Sequence, residues 1–189
     1  VGDDFRFGHN RAGDHRLLSA MAGELGYELI VVDKIKDGDR DISSTYIREE
    51  IAAGHIKKAN ELLGYPFFIK GRVVHALGRT IGIPTVNLSV PHDKLLPPKG
   101  VYMSRVLVRD NWYLGVTNIG CKPTIEGKNP IGAETYIIDF GQDVYGQDIM
   151  VELHKFVRPE MKFDSIEALK SQMSADINFT INYAGSHTF

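Results

Sequence analysis

Apolar residues recur at helical spacing from about Gly13 to Leu25, at Leu17, Leu18, Met21 and Leu25, and Gly26 supplies a stop. Glu28 to Val32 then reads as a buried strand. Ser43, Ser44 and Thr45 are N-cap candidates for a helix ending near Gly54, and a shorter helix is predicted from about Ile56 to Leu63 before Gly64-Tyr65-Pro66 breaks it. The pattern changes at Phe67. Short β-type runs follow, split by glycine, proline and asparagine: Phe67–His75, Val101–Val108, Trp112–Thr117, Glu134–Phe140 and Ile149–Phe156. Short strands with regular turn signals predict an antiparallel sandwich or barrel. The chain reverts to helix at its end. Asp164 with Glu167 resembles a capping box, and Ile166, Leu169, Met173, Ile177 and Ile181 continue an apolar stripe. The expected organisation is an α/β segment over 1–64, then a domain over 65–189 made of a β module and a closing helix.

Composition narrows the function classes. The 189 residues carry 22 basic and 24 acidic side chains, so no charge excess marks nucleic acid or an anionic membrane as a partner. No apolar run approaches the ~20 residues of a membrane span, and no signal peptide is visible. Cys121 is the one cysteine and cannot form an internal disulfide, which fits a reducing, cytoplasmic compartment. The balance leaves room for self-association and says nothing of its form.

Gly78-Arg79-Thr80-Ile81-Gly82-Ile83-Pro84-Thr85-Val86-Asn87 carries the densest chemistry. Gly78 and Gly82 let backbone approach a ligand, and Arg79 can meet phosphate oxygens. Pro84 fixes a turn, after which Thr85 and Asn87 share one side of an extended strand. A hydroxyl and an amide oxygen side by side suit Mg²⁺ travelling with phosphates. The same residues also make an ordinary glycine-proline loop with two solvated polar side chains. Glu134 opens an otherwise apolar strand; it could serve as a general base or be a surface glutamate at a strand start. Arg158 could clamp an anion or an aromatic ring, or be solvated. Ser43, Ser44 and Thr45, with Arg48 one turn in, suit phosphate binding at a helix N-terminus and equally suit plain capping. P-loop, dinucleotide-fold, zinc and nucleophile-elbow motifs are all absent.

Taken in order, these stretches resemble the bacterial bifunctional riboflavin kinase/FMN adenylyltransferase (FAD synthetase) family. Gly2-Asp3-Asp4-Phe5-Arg6-Phe7-Gly8 looks like the flavin-side motif of the adenylyltransferase, and Ser43 to Arg48 looks like its SSTxIR nucleotide motif. Gly71 to His75, Gly78-Arg79 and Gly82 to Asn87 look like the opening of the kinase; Gly100-Val101-Tyr102, Asn118-Ile119-Gly120, Tyr145-Gly146 and Arg158 to Phe163 follow in register. The resemblance implies a partial Rossmann-like nucleotidyltransferase segment, then a six-stranded antiparallel barrel with a C-terminal helix. It implies a kinase that moves the γ-phosphate of ATP to the 5′-hydroxyl of riboflavin. Thr85 and Asn87 would hold Mg²⁺ and phosphates, Glu134 would take the hydroxyl proton, and Tyr102, Asn118, Arg158 and Phe163 would border the ligands. Three departures stand out. The family's early HxGH-type motif is absent, which implies that this chain alone does not make FAD, whereas a longer parent does. Only Ala76 and Leu77 lie between His75 and Gly78, where the family has a longer flap; a flavin- or nucleotide-binding module without turnover is the alternative this raises. Val86 replaces the usual alanine of the PTAN motif.

Overall fold

The computed structural model describes residues 1–74, 84–121 and 131–187. The chain forms two compact units, Val1–Tyr46 and Ile47–Phe189.

In the first unit, β1 (Arg6–Phe7) pairs antiparallel with β2 (Gly13–Asp14), and β3 (Lys36–Asp37) with β4 (Arg40–Asp41). Helix α1 (His15–Leu25) starts where the Asp14 carboxylate accepts the Leu17 amide at 3.0 Å, and it ends on Gly26, whose φ of 67° suits a residue without Cβ. The strand expected at Glu28–Val32 is not formed as such. Its backbone meets Val1–Asp3, with a single parallel bridge between Gly2 and Val32. Ile30, Val31 and Val32 stay exposed, as do Leu17, Met21 and Leu25 of α1. A buried parallel strand needs neighbours in its sheet and cover on its faces. The described residues of this unit supply neither.

Helix α2 (Ser44–Ala52) follows, then α3 (Ile56–Leu63), which ends on Gly64 at φ 74°. In the second unit, α3 buries Ile56, Ala59 and Leu62. Asn60 ties it to the strands after it: its Nδ2 donates to the Leu153 carbonyl at 2.9 Å and its Oδ1 accepts the Phe67 amide at 2.7 Å.

Six strands make a closed antiparallel barrel: β5 (Phe67–Val74), β6 (Val86–Ser89), β7 (Gly100–Val108), β8 (Asn111–Cys121), β9 (Ile131–Ile137) and β10 (Asp148–Arg158). Their order around the barrel is β10-β5-β6-β9-β8-β7, so β10 closes the ring by pairing with both β5 and β7. Period-2 alternation sorts the side chains. Val73, Leu88, Ala133 and Ile119 lie in one cross-strand row and are buried in the core. The row beside it holds hydroxyls: Thr117 Oγ1 donates to Ser104 Oγ at 2.8 Å and lies 2.9 Å from Thr135 Oγ1, all three fully buried. The β7–β8 hairpin closes on two residues, Arg109 and Asp110, at φ 47° and 67°, the handedness that matches strand twist.

Helix α4 (Ile166–Gly185) lies on the outer face of the sheet, where Ile177 packs against a cluster centred on Val101, Val116 and Ile138. Its cap is Ser165 rather than Asp164. Ser165 is the residue with extended backbone, and its Oγ accepts the Ala168 amide at 3.0 Å. The expected apolar stripe is only partly used: Ile166 and Ile181 are exposed, while Asp176 and Thr180 are buried.

On the outside of β7 and β10, Glu152 sits 3.8 Å from Arg105 Nη1 and 3.3 Å from His154 Nε2, and Arg105 stacks 4.4 Å above the Trp112 ring. Burial, together with the Arg105 charge, pushes His154 down from 6.5 to about 4. Burial also raises Glu152. A histidine held neutral in the fold binds fewer protons than the unfolded chain, so its contribution is present above pH 6.5 and is lost as pH falls towards about 4. Glu152 contributes with the opposite slope, so the His154 part is isolated by comparison. We expect unfolding free energy, followed by Trp112 fluorescence, to fall between pH 7 and 4. That fall should shrink by up to about 3 kcal/mol in His154→Asn. An unchanged pH slope in the variant would rule this out.

Candidate active site

The short strand β6 decides where the polar residues meet. Asn87 on β6 lies opposite Glu134 on β9, and Glu134 lies opposite Asn118 on β8. Directly paired residues of antiparallel strands point to the same side. Leu88, Ala133 and Ile119 face the core, so Asn87, Glu134 and Asn118 form a polar row on the outer face. Thr85 precedes Asn87 by two residues and reaches the same place: its Oγ1 donates to Glu134 Oε1 at 2.5 Å. Three separate sequence candidates, Thr85, Asn87 and Glu134, are thus brought together, although up to 49 residues separate them along the chain.

Asn87 is buried, at 7% exposure, and its Nδ2 has no hydrogen-bond partner among the described residues. A buried amide hydrogen left unpaired costs about 1–3 kcal/mol, so a ligand atom accepting there has a ready reward. The row therefore offers an unpaired donor, a carboxylate with one oxygen held by a hydroxyl, and a second amide in Asn118. Among the described residues no group of three or more His, Cys, Asp or Glu side chains could hold a metal ion. The hard oxygens of Thr85 and Asn87 fit a cation that brings its own phosphate and water ligands, not one in an all-protein cage.

The family model for riboflavin kinase matches residues 63–184, and that for FAD synthetase matches residues 1–46. This chain belongs to the riboflavin kinase family. The bifunctional riboflavin kinase/FMN adenylyltransferase of Escherichia coli K12 is 42% identical over 179 residues, covering 93% of this chain and 56% of that protein. The protein of the same description from Bacillus subtilis is 40% identical over 188 residues, covering 97% of this chain and 59% of that one. The chain thus spans a little over half the length of these relatives. A crystal structure titled as a macrolide-efflux protein from Streptococcus pneumoniae superposes with a TM-score of 0.82 at 37% identity, covering 96% of this chain and 59% of that one. Among the described residues here, no helix is long and apolar enough to cross a membrane.

Against this riboflavin kinase frame the remaining candidates divide. Gly78, Arg79 and Gly82 lie outside the described residues, whereas Pro84 is exposed at the start of the Thr85 segment. Tyr102 is fully buried. Its hydroxyl donates to the Pro98 carbonyl at 2.6 Å, its ring meets Phe156 edge-on, and burial pushes its pKa up to about 12. Tyr102 thus supports the wall from inside. Ser43 accepts the Tyr46 amide at 3.2 Å, the capping use, while Ser44, Thr45 and Arg48 are exposed.

Arg158 is neither solvated nor free. Its Nε and Nη2 bind the Asp176 carboxylate at 3.0 and 2.7 Å, its Nη1 donates to the Pro159 carbonyl at 3.1 Å, and Gln172 adds a bond to Asp176 at 3.0 Å. Phe163 lies 5.8 Å from the guanidinium. Sequence reasoning missed Asp176. The available signal was a carboxylate one residue before Ile177, where the helix turns its packed face. It also gave no role to Glu160, which lies inside the Arg158 to Phe163 stretch and accepts from Asn118 Nδ2 at 3.4 Å. Breaking a buried pair leaves an uncompensated charge. Asp176→Ala should therefore cost about 3 kcal/mol of stability, read from the denaturant midpoint of Trp112 fluorescence; a loss below about 1 kcal/mol would mean that Arg158 does not depend on it.

Proposed function

We propose that this chain is an ATP:riboflavin 5′-phosphotransferase that forms FMN. The observation that carries the reading is the hydrogen bond from Thr85 to Glu134 within the Asn87–Glu134–Asn118 row, on a chain of the riboflavin kinase family. Phosphoryl transfer asks the protein for in-line positioning and charge neutralisation more than for covalent chemistry. In this reading Thr85 holds Glu134 Oε1, and Oε2 accepts the proton of the ribityl 5′-hydroxyl. The 5′-oxygen forms its bond to the γ-phosphorus as the bond to the β–γ bridging oxygen breaks, and ADP leaves. The unpaired Nδ2 of Asn87 donates to a phosphate oxygen. Thr85 and Asn87 would also hold Mg²⁺, which when bound neutralises charge on the phosphates. Gly78, Arg79 and Gly82 are assigned to the phosphates on sequence alone, and Arg158 and Phe163 to the border of the flavin ring.

We further assign residues 1–64 to the C-terminal part of an FMN adenylyltransferase domain and residues 65–189 to the kinase domain, with α3 docked on the barrel through Asn60. The FAD synthetase match over 1–46 and the SSTxIR motif support adenylyl transfer to FMN as a second activity of the whole protein, in the cytoplasm, where ATP is available.

The test is chromatography of products from riboflavin, ATP and Mg²⁺, with an EDTA control. We expect metal-dependent FMN, and a fall in turnover of about 10²–10⁴ in Glu134→Gln. Equal turnover in the variant would remove Glu134 as the base. Riboflavin binding without any FMN would replace the kinase by a flavin-binding module.

A further inference from the structure

The end of β10 and the segment that follows it lie close against β7 and β8 at two glycines. A Cβ on Gly100 would lie 2.6 Å from the Arg158 carbonyl oxygen and 2.7 Å from the Phe156 ring. A Cβ on Gly120 would lie 2.1 Å from Glu160 Oε1 and 3.1 Å from Asn118 Nδ2. The space that Gly120 leaves open is therefore the space between the Glu160 carboxylate and the Asn118 amide, which meet at 3.4 Å. Arg158, two residues earlier, is fixed to Asp176 on α4. The backbone that carries Glu160 is thus held from both sides. Lys99 sits beside this group: contact with the Cys121 thiol first, and the Glu160 charge as a smaller contribution, raises its pKa.

A carboxylate can only accept hydrogen bonds, so the NH₂ end of Asn118 must face Glu160. What the amide can then offer a ligand is Oδ1, an acceptor. Its neighbour in the row, Glu134, is an acceptor too. Two acceptors side by side suit a group that donates, such as an alcohol, and repel phosphate oxygens, which have no hydrogens at the working pH. The other end of the row carries the opposite character, because the orphaned atom of Asn87 is a donor.

We infer that Glu160 is a positioning residue that, by orienting the Asn118 amide, makes the β8 end of the row a seat for the hydroxyl-bearing acceptor and leaves the β6 end to the phosphates. The inference rests on the kinase reading and adds to it the residue that sets which end of the Asn118 amide the hydroxyl-bearing substrate meets.

The full chain is tested as wild type, Glu160→Gln, Glu160→Asp and Gly120→Ala. Riboflavin affinity is read by quenching of flavin fluorescence, KM for riboflavin and for ATP from FMN formation, and folding from Trp112 fluorescence. Glu160→Gln can donate as well as accept, so it releases the amide. It should weaken riboflavin about tenfold while the KM for ATP moves less than about twofold and the unfolding midpoint holds. Glu160→Asp should recover part of the loss, and Gly120→Ala, with a methyl between the two groups, should copy Glu160→Gln. Unchanged riboflavin affinity in Glu160→Gln overturns the inference. So does a loss of both substrates together with stability, which marks a structural role. A wild type that binds riboflavin but makes no FMN sinks the kinase reading alone, because the binding arm still reports on Glu160. A wild type that does neither sinks both.

Discussion

Antiparallel pairing of β6 with β9 and of β9 with β8 places Asn87, Glu134 and Asn118 side by side, and the site depends on that register. A slip of one residue in any of these ladders would turn its polar side chain inward and an apolar one outward. Two things oppose the slip. One is the apolar row of Val73, Leu88, Ala133 and Ile119, which a slip would expose. The other is the buried hydroxyl chain of Ser104, Thr117 and Thr135, whose hydrogen bonds exist only in this register. Thr117 and Thr135 are the chain neighbours of Asn118 and Glu134. Interior polarity and exterior chemistry are therefore set by the same pair of strand positions.

The outer wall is held differently. A barrel strand fixes side chains through its ladder, but the segment after β10 has left the ladder. Its start is set by Arg158, the last residue of β10, which is paired with Asp176, and it then meets the barrel closely where Pro159 passes Gly100 and Glu160 passes Gly120. Buried ion pairs are weak sources of net stability but strong constraints on geometry once formed, since a lone charge there is costly. That distinction fits their place here, where a loop must be held beside the row without a strand to hold it.

The two compact units differ in how well they satisfy themselves. The barrel unit buries a large apolar cluster around its hydroxyl chain and caps α4 and stops α3 with local chemistry. The unit Val1–Tyr46 keeps Leu17, Met21, Leu25, Ile30 and Ile35 exposed and builds only two-residue ladders. The chain spans little more than half of the relatives it matches, and the FAD synthetase match ends at residue 46.

Much of the fold was legible because its determinants are local. Glycines at 26 and 64 stop helices for want of a Cβ, alternation marks strands, and α3 forms over the stretch where its apolar spacing places it. The strand expected at Glu28–Val32 failed because an apolar run becomes a strand only where a sheet receives it. The α4 cap moved from Asp164 to Ser165 because capping depends on which residue leaves helical φ and ψ. For the site, the residue types at Thr85, Asn87 and Glu134 and the family resemblance were in the sequence. That Thr85 bonds Glu134, that Asn87 keeps an unpaired amide hydrogen, and that Arg158 is claimed by Asp176 were not. The sequence by itself determined the helices with their stops, the alternating strands and the candidate chemistry, because each is written within a few neighbouring residues. Only the tertiary structure decided which candidates meet, because cross-strand partners and buried charges are chosen by barrel closure between residues far apart in the chain.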